Sequence, residues 1–209
     1  MTKGQQTELC PGLNVSRETI TRLDEFEALV RKWTKGINLV SKASLDDFWT
    51  RHIVDSAQLY LLAPPDWRVW ADIGSGGGFP GIVIAILALE LKPEATITLV
   101  ESDQRKATFL RTASRLLRLR TNVVSDRIEN ISPLGVDVLS ARALSSLTQL
   151  IEMAKPHLDP QGIAIFPKGE TVQSEIDAAY SAWSFALTQT ASITHPNAWI
   201  LTIKGITGA

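Results

Sequence analysis

The chain has 209 residues, 44% of them hydrophobic, and its 21 basic and 22 acidic side chains leave a formal net charge of −1. This balance is typical of a globular chain with one main domain and excludes a nucleic-acid-binding surface that is basic overall. The longest apolar run, residues 82–89, is too short to cross a bilayer, and the polar N-terminus lacks the apolar segment of a signal peptide. We therefore expect a cytoplasmic protein without membrane contact. The single cysteine, Cys10, excludes an internal disulfide and offers no zinc cluster, so no metal is expected.

The first third of the chain predicts a tail and two helices. Residues 1–15 are polar and predict a flexible tail, and residues 16–66 predict a helical extension. Ser16 is suited to cap a first helix, whose apolar residues recur at spacings of three and four until Gly36. A second helix is predicted to start at Ser44, with Asp47 completing a capping box.

Residues 67–209 predict an α/β domain with a Rossmann-like parallel sheet, because apolar runs of strand length alternate with helical segments. Strands are predicted at 68–73, 96–101, 122–125, 137–141, 163–166, 187–193 and 199–203. Helices are predicted at 81–90, 103–119, 145–155 and 171–183. The last two strands have no helix between them and predict an antiparallel hairpin that closes a seven-stranded, mostly parallel sheet.

A glycine-rich turn between two apolar runs is the most informative stretch: Asp72-Ile73-Gly74-Ser75-Gly76-Gly77-Gly78-Phe79. Glycines at 74, 76 and 78 suit a strand-to-helix turn where the backbone approaches a nucleotide-type cofactor. Asp72 would repel the pyrophosphate of a dinucleotide, and Phe79 stands in the last glycine slot of that fingerprint. S-adenosylmethionine has no phosphate and carries an ammonium and a sulfonium, so this turn favours it over NAD, with Asp72 facing its positive charges.

Acidic and apolar residues after the next two strands predict the rest of a cofactor site. Glu101 lies 20 positions after Gly81, close to the spacing at which an acidic residue binds a ribose diol, and we expect it to do so here rather than to face solvent. Ile128 is placed to pack against adenine. A helix start, with Asp126 as its cap and Glu129 three residues later, explains the same segment equally well.

Arg142 follows the fourth strand, where a side chain faces both cofactor and substrate. No Asp/Asn-Pro-Pro-aromatic motif and no suitable cysteine nucleophile is present, which disfavours methylation of an amine or of carbon. Guanine N7 already offers an in-plane lone pair, so methyl transfer to it needs positioning and hydrogen bonds to O6 but no general base. Arginine suits that guanine edge, and a structural ion pair is the alternative.

Three further groups of polar residues are candidates. Lys168 closes the fifth strand, where it would contact RNA phosphate or the guanine, or be solvated. His52 and Asp55 share one helix face and are spaced to pair, which is more typical of packing than of a site. The predicted helix 103–119 carries Arg111, Arg115 and Arg118 on one face, and the extension adds further basic residues: Lys32, Lys35, Lys42 and Arg51. They suit RNA phosphates, although a solvated face explains them equally.

Taken together, these motifs resemble the bacterial small-subunit rRNA methyltransferase G family, also called glucose-inhibited division protein B. The similarity covers nearly all residues after Ser16. Besides the glycine turn, it is carried by Asn38-Leu39-Val40-Ser41, Arg51-His52-Ile53-Val54-Asp55-Ser56, Arg127-Ile128-Glu129, Ser140-Ala141-Arg142-Ala143 and Lys168-Gly169. The chain departs from the family pattern at Asp126, where a glycine is usual, and at Ala141, where a serine often stands.

The resemblance implies a class I methyltransferase that transfers a methyl group from S-adenosylmethionine to N7 of a guanine in 16S rRNA, acting as a monomer on the small subunit or its assembly intermediate. It implies cofactor contacts for five residues: Gly74, Phe79, Ile128, Glu129 and Arg142. It also implies catalytic roles for Asn38, His52, Lys168 and Arg142, RNA contact by Arg127 and Lys168, and a role for Asp55.

Two other classes of protein stay open. A nicotinamide-dependent oxidoreductase would share the sheet and the turn, but Asp72 and Phe79 disfavour it. A non-catalytic RNA-binding or ribosome-assembly module that retains the cofactor fold is compatible with the basic stripe.

Overall fold

The structure, a computed structural model, describes residues 6–208. It begins with an antiparallel hairpin of β1 (Gln6–Cys10) and β2 (Leu13–Ser16). The prediction of a flexible tail is therefore wrong for residues 6–15, because Leu9, Leu13 and Val15 bury their side chains in the core. Cys10 is buried as well, and burial raises the pKa of its thiol. Residues 1–5 of the predicted tail lie outside the described residues.

The first predicted helix is present as α1 (Arg17–Thr34). Ser16 caps it, its hydroxyl accepting the Thr19 N–H at 3.2 Å. Glu90, far along the chain, accepts hydrogen bonds from the hydroxyls of Ser16 (2.8 Å) and Thr19 (2.6 Å). This contact fixes the start of α1 against the main domain.

The second helical region changes pitch along its length. A 3₁₀ turn (Lys42–Ser44) is followed by a π-helical stretch (Trp49–Val54), the single α-helical turn α2 (Asp55–Ala57) and another 3₁₀ stretch (Gln58–Leu62). The predicted start at Ser44 with a capping box at Asp47 is wrong, because Ser41 caps the 3₁₀ turn instead. The π-helical pitch allows the Asp55 N–H to donate to Thr50 O.

The main domain is the predicted α/β sheet. Its strands are β3 (Val69–Ile73), β4 (Thr96–Val100), β5 (Thr121–Val124), β6 (Val136–Ser140), β7 (Leu158–Lys168), β8 (Trp183–Ala191) and β9 (Trp199–Gly208). They lie in the order β5-β4-β3-β6-β7-β9-β8. Strands β3 to β7 are parallel, and β9 pairs antiparallel with both β7 and β8. The prediction of a seven-stranded sheet closed by an antiparallel hairpin is confirmed.

Four helices connect these strands: α3 (Gly81–Leu91), α4 (Gln104–Leu116), α5 (Leu147–Ala154) and α6 (Val172–Tyr180). Residues 81–88 of α3 are buried on all sides, because the helix lies between the sheet and the N-terminal extension. Within residues 6–208, no helix is long and apolar enough to cross a membrane.

Candidate functional site

Five parallel strands end at one edge of the sheet. The strand order reverses at β3, because β4 and β5 lie on one side of it and β6 and β7 on the other. In open α/β sheets, ligands bind in the crevice outside the carboxyl ends of the strands at such a switch point. The residues that follow β3, β4, β5, β6 and β7 therefore surround one potential site.

The turn after β3 brings bare backbone to this edge. Gly74, Gly76 and Gly78 have φ angles of 64°, 53° and 87°, in the left-handed region that favours glycine. A Cβ at Gly78 would lie 2.7 Å from Ile82 and 2.9 Å from Phe26, so this glycine lets the extension pack against the turn. Gly78 therefore serves packing, whereas a Cβ at Gly76 would meet nothing closer than 3.7 Å.

Asp72 faces the protein interior rather than the edge. Its carboxylate is fully buried, and its two oxygens accept hydrogen bonds from Ser140 Oγ (2.7 Å) and from the Gly81 N–H (3.1 Å). Burial raises the pKa of Asp72 to about 6, against the lowering effect of the Ser140 hydrogen bond. The prediction that Asp72 faces the cofactor's positive charges is wrong, because its carboxylate instead joins β3, β6 and α3 and shapes the turn.

Glu101 lies beside the turn, where a ribose ligand was predicted. Its carboxylate accepts the Gly76 N–H at 2.8 Å and the Asp103 N–H at 2.7 Å, and the residue is only 7% exposed. A carboxylate that holds two backbone donors retains lone pairs for hydroxyl groups. Ribose binding by Glu101 stays a prediction, with the side chain held in a suitable place.

A small cleft of about 100 Å³, which we call the nucleotide cleft, opens at the ends of β3, β4 and β5. Ile128 forms a buried apolar part of its wall, and Arg127 and Glu129 are exposed at its rim. Asp126 accepts the Arg127 N–H at 2.7 Å, so it also stabilises the turn that begins there. The predicted helix start with Asp126 as its cap is wrong, because Arg127 is the residue that caps the 3₁₀ turn Ile128–Asn130 and no side chain of the described residues makes a capping hydrogen bond there. Packing of Ile128 against adenine stays a prediction. The full lining is Gly74, Val100, Ser102, Asp126, Arg127, Ile128, Glu129, Leu144 and Met153.

Arg142 is anchored at the end of β6 by the extension. Its Nη1 donates to Arg51 O and to Asp55 Oδ2, and its Nη2 donates to His52 Nδ1, each at 3.1 Å. The guanidinium lies over the ring of Phe79, 5.1 Å from the centroid. A structural ion pair with Asp55 is therefore present. These bonds use three of the five N–H groups of the side chain and leave two for a ligand.

The hydrogen bond from Arg142 determines the tautomer of His52. A guanidinium only donates, so Nδ1 is the unprotonated nitrogen and the neutral ring carries its proton on Nε2, which is buried without a partner among residues 6–208. Burial, together with the cations of Arg142 and Arg51, lowers the pKa of His52 to about 4. Its ring stacks on Phe79 at 4.8 Å. A neutral histidine with its acceptor nitrogen occupied is unsuited to act as a base.

Asp55 links Arg142 to the turn between β8 and β9. Its second oxygen accepts from Gln58 Nε2 (3.0 Å) and Thr194 Oγ1 (2.9 Å). The expected pairing of His52 with Asp55 is wrong, because both side chains bind Arg142 instead.

A second cleft, of about 490 Å³, lies beside Arg142 and is called here the acceptor cleft. Lys168 is only 9% exposed in its side chain, and its Nζ donates to Glu175 Oε2 (2.7 Å) and Ser145 O (2.8 Å). Lys168 is therefore not a solvated strand end but anchors the loop after β6. The full lining is Asp55, Arg142, Ala143, Leu144, Ser145, Pro167, Lys168, Gly169, Glu175 and Ala198.

Asn38 is exposed in the loop after α1, next to the glycine turn. A Cβ at Gly77 would lie 3.0 Å from Leu39 O, so this loop packs directly on the turn. Asn38 therefore belongs to a loop that covers the glycine turn, and it directly precedes the residue that packs on Gly77. Its catalytic role stays a prediction.

The basic stripe lies away from these clefts. Arg111, Arg115 and Arg118 line one surface cleft of about 540 Å³ between α4 and β5. These arginines line neither the nucleotide cleft nor the acceptor cleft, because α4 starts at the carboxyl edge of the sheet after β4 and runs back toward the amino edge. The predicted shared face is present, and RNA contact by it stays a prediction.

Comparison with known proteins identifies the family. The family model described as rRNA small subunit methyltransferase G matches residues 19–200. The chain belongs to this family. It is 50% identical over 201 residues to the ribosomal RNA small subunit methyltransferase G of Cereibacter sphaeroides, covering 96% of this chain and 98% of the relative. It is 52% identical over 195 residues to the protein of that name from Ruegeria pomeroyi, covering 93% and 95%.

Solved structures support the fold. Cofactor-bound Rv0187 from MTB matches with a TM-score of 0.62 at 14% identity, covering 88% of this chain and 89% of that one. A SAM-dependent methyltransferase from Aquifex aeolicus matches with a TM-score of 0.58 at 11% identity, covering 85% and 97%. The predicted class I methyltransferase fold and the predicted family are both confirmed.

The nucleotide cleft of this family member fits an adenosine-containing cofactor. Ile128 offers an apolar wall within the cleft, and beside the cleft the glycine turn offers backbone without side chains and Glu101 offers free lone pairs. Among residues 6–208, no group of three His, Cys, Asp or Glu side chains is close enough to hold a metal ion.

Sequence reasoning missed three apolar residues that line the nucleotide cleft: Val100, Leu144 and Met153. Val100 ends β4, where an apolar side chain predicts a buried strand. Met153 lies on α5, where an apolar side chain predicts core packing, so its sequence carries no signal of a site. Leu144 had one usable signal, since it lies two residues after Arg142 in the loop that follows a strand end.

Proposed function

We propose that this protein transfers a methyl group from S-adenosylmethionine to N7 of a guanine in 16S rRNA. The observation that carries this proposal is the position of Arg142, anchored in the wall of the acceptor cleft with two N–H groups unused. Relatives that are half identical over nearly the whole chain are named ribosomal RNA small subunit methyltransferase G, which supports the acceptor class.

The cofactor would be held by the glycine turn and the nucleotide cleft. Glu101 would accept hydrogen bonds from the two ribose hydroxyls, and Ile128 would pack against the adenine ring. When bound, S-adenosylmethionine supplies an electrophilic methyl group on a sulfonium. Asp72 contributes indirectly, because its buried hydrogen bonds fix the turn.

Arg142 would hold the guanine so that N7 points along the line of transfer. Its unused N–H groups suit O6 as hydrogen-bond donors, and these bonds would fix the plane and the direction of the base. Holding both reactants in that line converts a bimolecular step into a unimolecular one. The ring of Phe79 beneath the guanidinium and the bond to His52 keep Arg142 from rotating.

Among the described residues, 6–208, no side chain beside Arg142 is suited to remove a proton, and the proposed reaction needs none. His52 Nδ1 is occupied, Asp55 accepts three side-chain hydrogen bonds, and Lys168 is paired with Glu175. Attack by the N7 lone pair releases no proton in the transfer step. The arrangement therefore fits N7 better than an exocyclic amine.

Lys168 and Asn38 would act by positioning, Lys168 through the loop after β6 and Asn38 at the glycine turn. Arg127 at the rim of the nucleotide cleft, with the basic stripe, would contact RNA phosphates. The substrate would be 16S rRNA in the small subunit or its assembly intermediate, and the protein would work as a monomer in the cytoplasm.

Arg142→Ala tests this mechanism. In a single turnover on small subunits from cells lacking the protein, we expect tritiated-methyl transfer to slow by about two to three orders of magnitude, roughly 3–4 kcal/mol of transition-state stabilisation. Raising the pH should not restore the rate, and the wild-type rate should show no basic limb. Arg17→Ala, an exposed arginine on α1, is the matched control.

Near-normal transfer by Arg142→Ala, or a wild-type rate that rises tenfold per pH unit through neutrality, would contradict the base-free mechanism. Mapping the methylated nucleotide tests the N7 assignment itself. Calorimetric titration with S-adenosylhomocysteine and with NADH separates the methyltransferase from an oxidoreductase. Binding of S-adenosylhomocysteine without any methyl transfer to rRNA would favour a non-catalytic assembly module.

A further inference from the structure

One side chain separates the two clefts of the site. Leu144 lines both the nucleotide cleft and the acceptor cleft, and within residues 6–208 no other residue lines both. It is 40% exposed although its side chain is purely aliphatic. An apolar group left open to solvent between two ligand clefts is positioned to contact ligands in both.

Leu144 packs on the glycine turn itself. A Cβ built at Gly74 would lie 2.7 Å from Leu144 Cδ1 and 2.9 Å from Cδ2. The bare Cα of Gly74 therefore accommodates the leucine side chain, and the leucine forms the side of the nucleotide cleft that faces the acceptor.

The loop that carries Leu144 is anchored on both sides of it. Two residues earlier, Arg142 is tied to Asp55 at 3.1 Å, and one residue later Ser145 O accepts from Lys168 Nζ at 2.8 Å. Between them, Ala143 adopts a φ of 52°, a left-handed conformation that costs a non-glycine residue about 1 kcal/mol. The anchors sustain this conformation, which points Leu144 at Gly74.

We infer that Leu144 is a positioning residue that forms the wall shared by cofactor and target base and couples their binding. This inference rests on the proposed function, which supplies the two ligands. Each ligand would contact the leucine and restrict it, so the second to bind would meet a wall already ordered by the first. The same apolar wall would exclude water from the line of transfer.

Calorimetry with S-adenosylhomocysteine, alone and with saturating small subunits from cells lacking the protein, measures the coupling directly. We expect subunits to tighten S-adenosylhomocysteine binding to the wild type by about tenfold. Leu144→Ala should reduce this factor to less than about twofold, whereas Leu144→Met, which conserves volume, should retain most of it. Leu116→Ala removes a leucine of comparable exposure, 50% against 40%, from α4 and should leave the factor unchanged.

Leu144→Phe provides a second readout that needs no RNA. A phenyl ring packed against Gly74 would fill the small nucleotide cleft, so we expect about tenfold weaker S-adenosylhomocysteine binding by this variant alone. The folded state of each variant is checked by its urea midpoint, and because Leu144 lies in an exposed loop we expect that midpoint to stay close to that of the wild type.

Three results would each contradict the inference that Leu144 couples the two ligands: unaltered coupling in Leu144→Ala, absence of coupling in the wild type, or unchanged S-adenosylhomocysteine binding by Leu144→Phe. Wild-type methyl transfer into the same subunits is recorded in parallel. If the wild type transfers methyl groups but shows no coupling, the inference about Leu144 is wrong while the proposed function stands. If the wild type transfers none, the proposed function fails and the inference fails with it.

Discussion

His52 and Asp72, two buried ionisable residues of the site, respond to pH in opposite directions. The pKa of His52 is lowered by burial from 6.5 to about 4, so between these values the unfolded chain binds the proton and the folded chain does not. Stability therefore falls as the pH drops through this window. The pKa of Asp72 is raised by burial from 3.8 to about 6, so the folded chain binds that proton first and stability rises as the pH drops. The two effects partly cancel in the wild type.

Replacing His52 separates the two effects. His52→Asn keeps an acceptor for Arg142 and removes the titration, while Asp72 titrates in both proteins and cancels in the difference. We expect the variant to gain roughly 2–3 kcal/mol of unfolding free energy relative to the wild type between pH 7 and pH 4.5. Urea unfolding at the two pH values measures it.

His52→Gln serves as the second variant in case the shorter amide packs poorly against Phe79. A stability difference that stays the same at pH 7 and pH 4.5 for both variants would show that His52 titrates alike in the folded and unfolded chain. That result would also remove the support for its neutral tautomer beneath Arg142.

The proposed ribose contact of Glu101 is tested by replacing this single residue. Glu101→Ala removes the proposed ribose acceptor and the support of the Gly76 N–H, so we expect S-adenosylhomocysteine to bind about 1–3 kcal/mol more weakly by calorimetry. Glu152→Ala, at an exposed position on α5, is the control. Unchanged affinity in a folded Glu101→Ala protein would remove this carboxylate from the cofactor site.

Among the elements, the strands of the α/β domain were predictable because they are short apolar runs that periodicity detects. The ends of the helices were less predictable. The helix predicted to 119 ends at Leu116, because Arg118 adopts a φ of 56°, and the helix predicted to 183 ends at Tyr180. The β1–β2 hairpin and the π-helical stretch were missed, since tertiary packing rather than local pattern selects them.

The candidate site, too, was predictable in part: its position in the fold followed from the sequence, whereas the partners of its side chains did not. Strand-end reasoning placed Glu101 and Arg142 at the correct edge, because parallel strands bring their carboxyl ends together. The sequence does not reveal that Ser140 donates a hydrogen bond to the carboxylate of Asp72, nor that Glu175 forms a salt bridge with Lys168. Such partners come from distant segments, and a polar side chain at a ligand edge looks the same whether a ligand or the protein satisfies it.

At the start of α3, Gly81 tests how tightly this element packs on the sheet. Alanine favours a helix over glycine by about 1 kcal/mol, but a Cβ here would lie 2.7 Å from Asp72 Oδ2 and overlap Leu99. Overpacking should outweigh propensity, so we expect Gly81→Ala to lose about 1–3 kcal/mol of unfolding free energy. Urea denaturation measures the loss.

Gly36→Ala is the matched control, because its nearest neighbour, Trp33 O, would lie 3.8 Å from the new Cβ. We expect it to change stability by less than about 1 kcal/mol. If Gly81→Ala proved as stable as Gly36→Ala, α3 would have room to shift, and the close approach of helix and sheet would not be what fixes Asp72.

For the whole molecule, the extension and the α/β domain form one site. Among residues 6–208, every hydrogen bond that the Arg142 side chain donates is accepted by the extension, at Arg51 O, His52 Nδ1 and Asp55 Oδ2. The ring of Phe79 beneath the guanidinium also packs on Phe26 of α1, with 5.2 Å between the ring centroids. The extension therefore positions the residue at the centre of the proposed mechanism rather than forming a separate RNA-binding module.

The basic stripe extends the proposed RNA contact beyond this centre. The net charge of −1 gives no overall attraction to RNA, so local cation clusters must supply it. The stripe runs from the middle of α4 toward the amino edge of the sheet, so RNA that reaches both it and Arg142 would lie along the β5 side of the molecule. Changing Arg111, Arg115 and Arg118 together to Gln should weaken binding and flatten its salt dependence.

The change in the salt dependence of RNA binding can be compared with that of a control variant that loses the same number of positive charges elsewhere. Each phosphate contact removed should lower the slope of log affinity against log salt by about 0.7–0.9. A second triple variant, Arg68→Gln, Lys155→Gln and Lys204→Gln, removes three exposed cations elsewhere and should leave the slope close to that of the wild type. Because both variants change the net charge equally, a slope lowered equally by both would indicate a general charge effect. An unchanged slope in the stripe variant would assign that face of α4 to solvent, and RNA contact would then be confined to the carboxyl edge around Arg142.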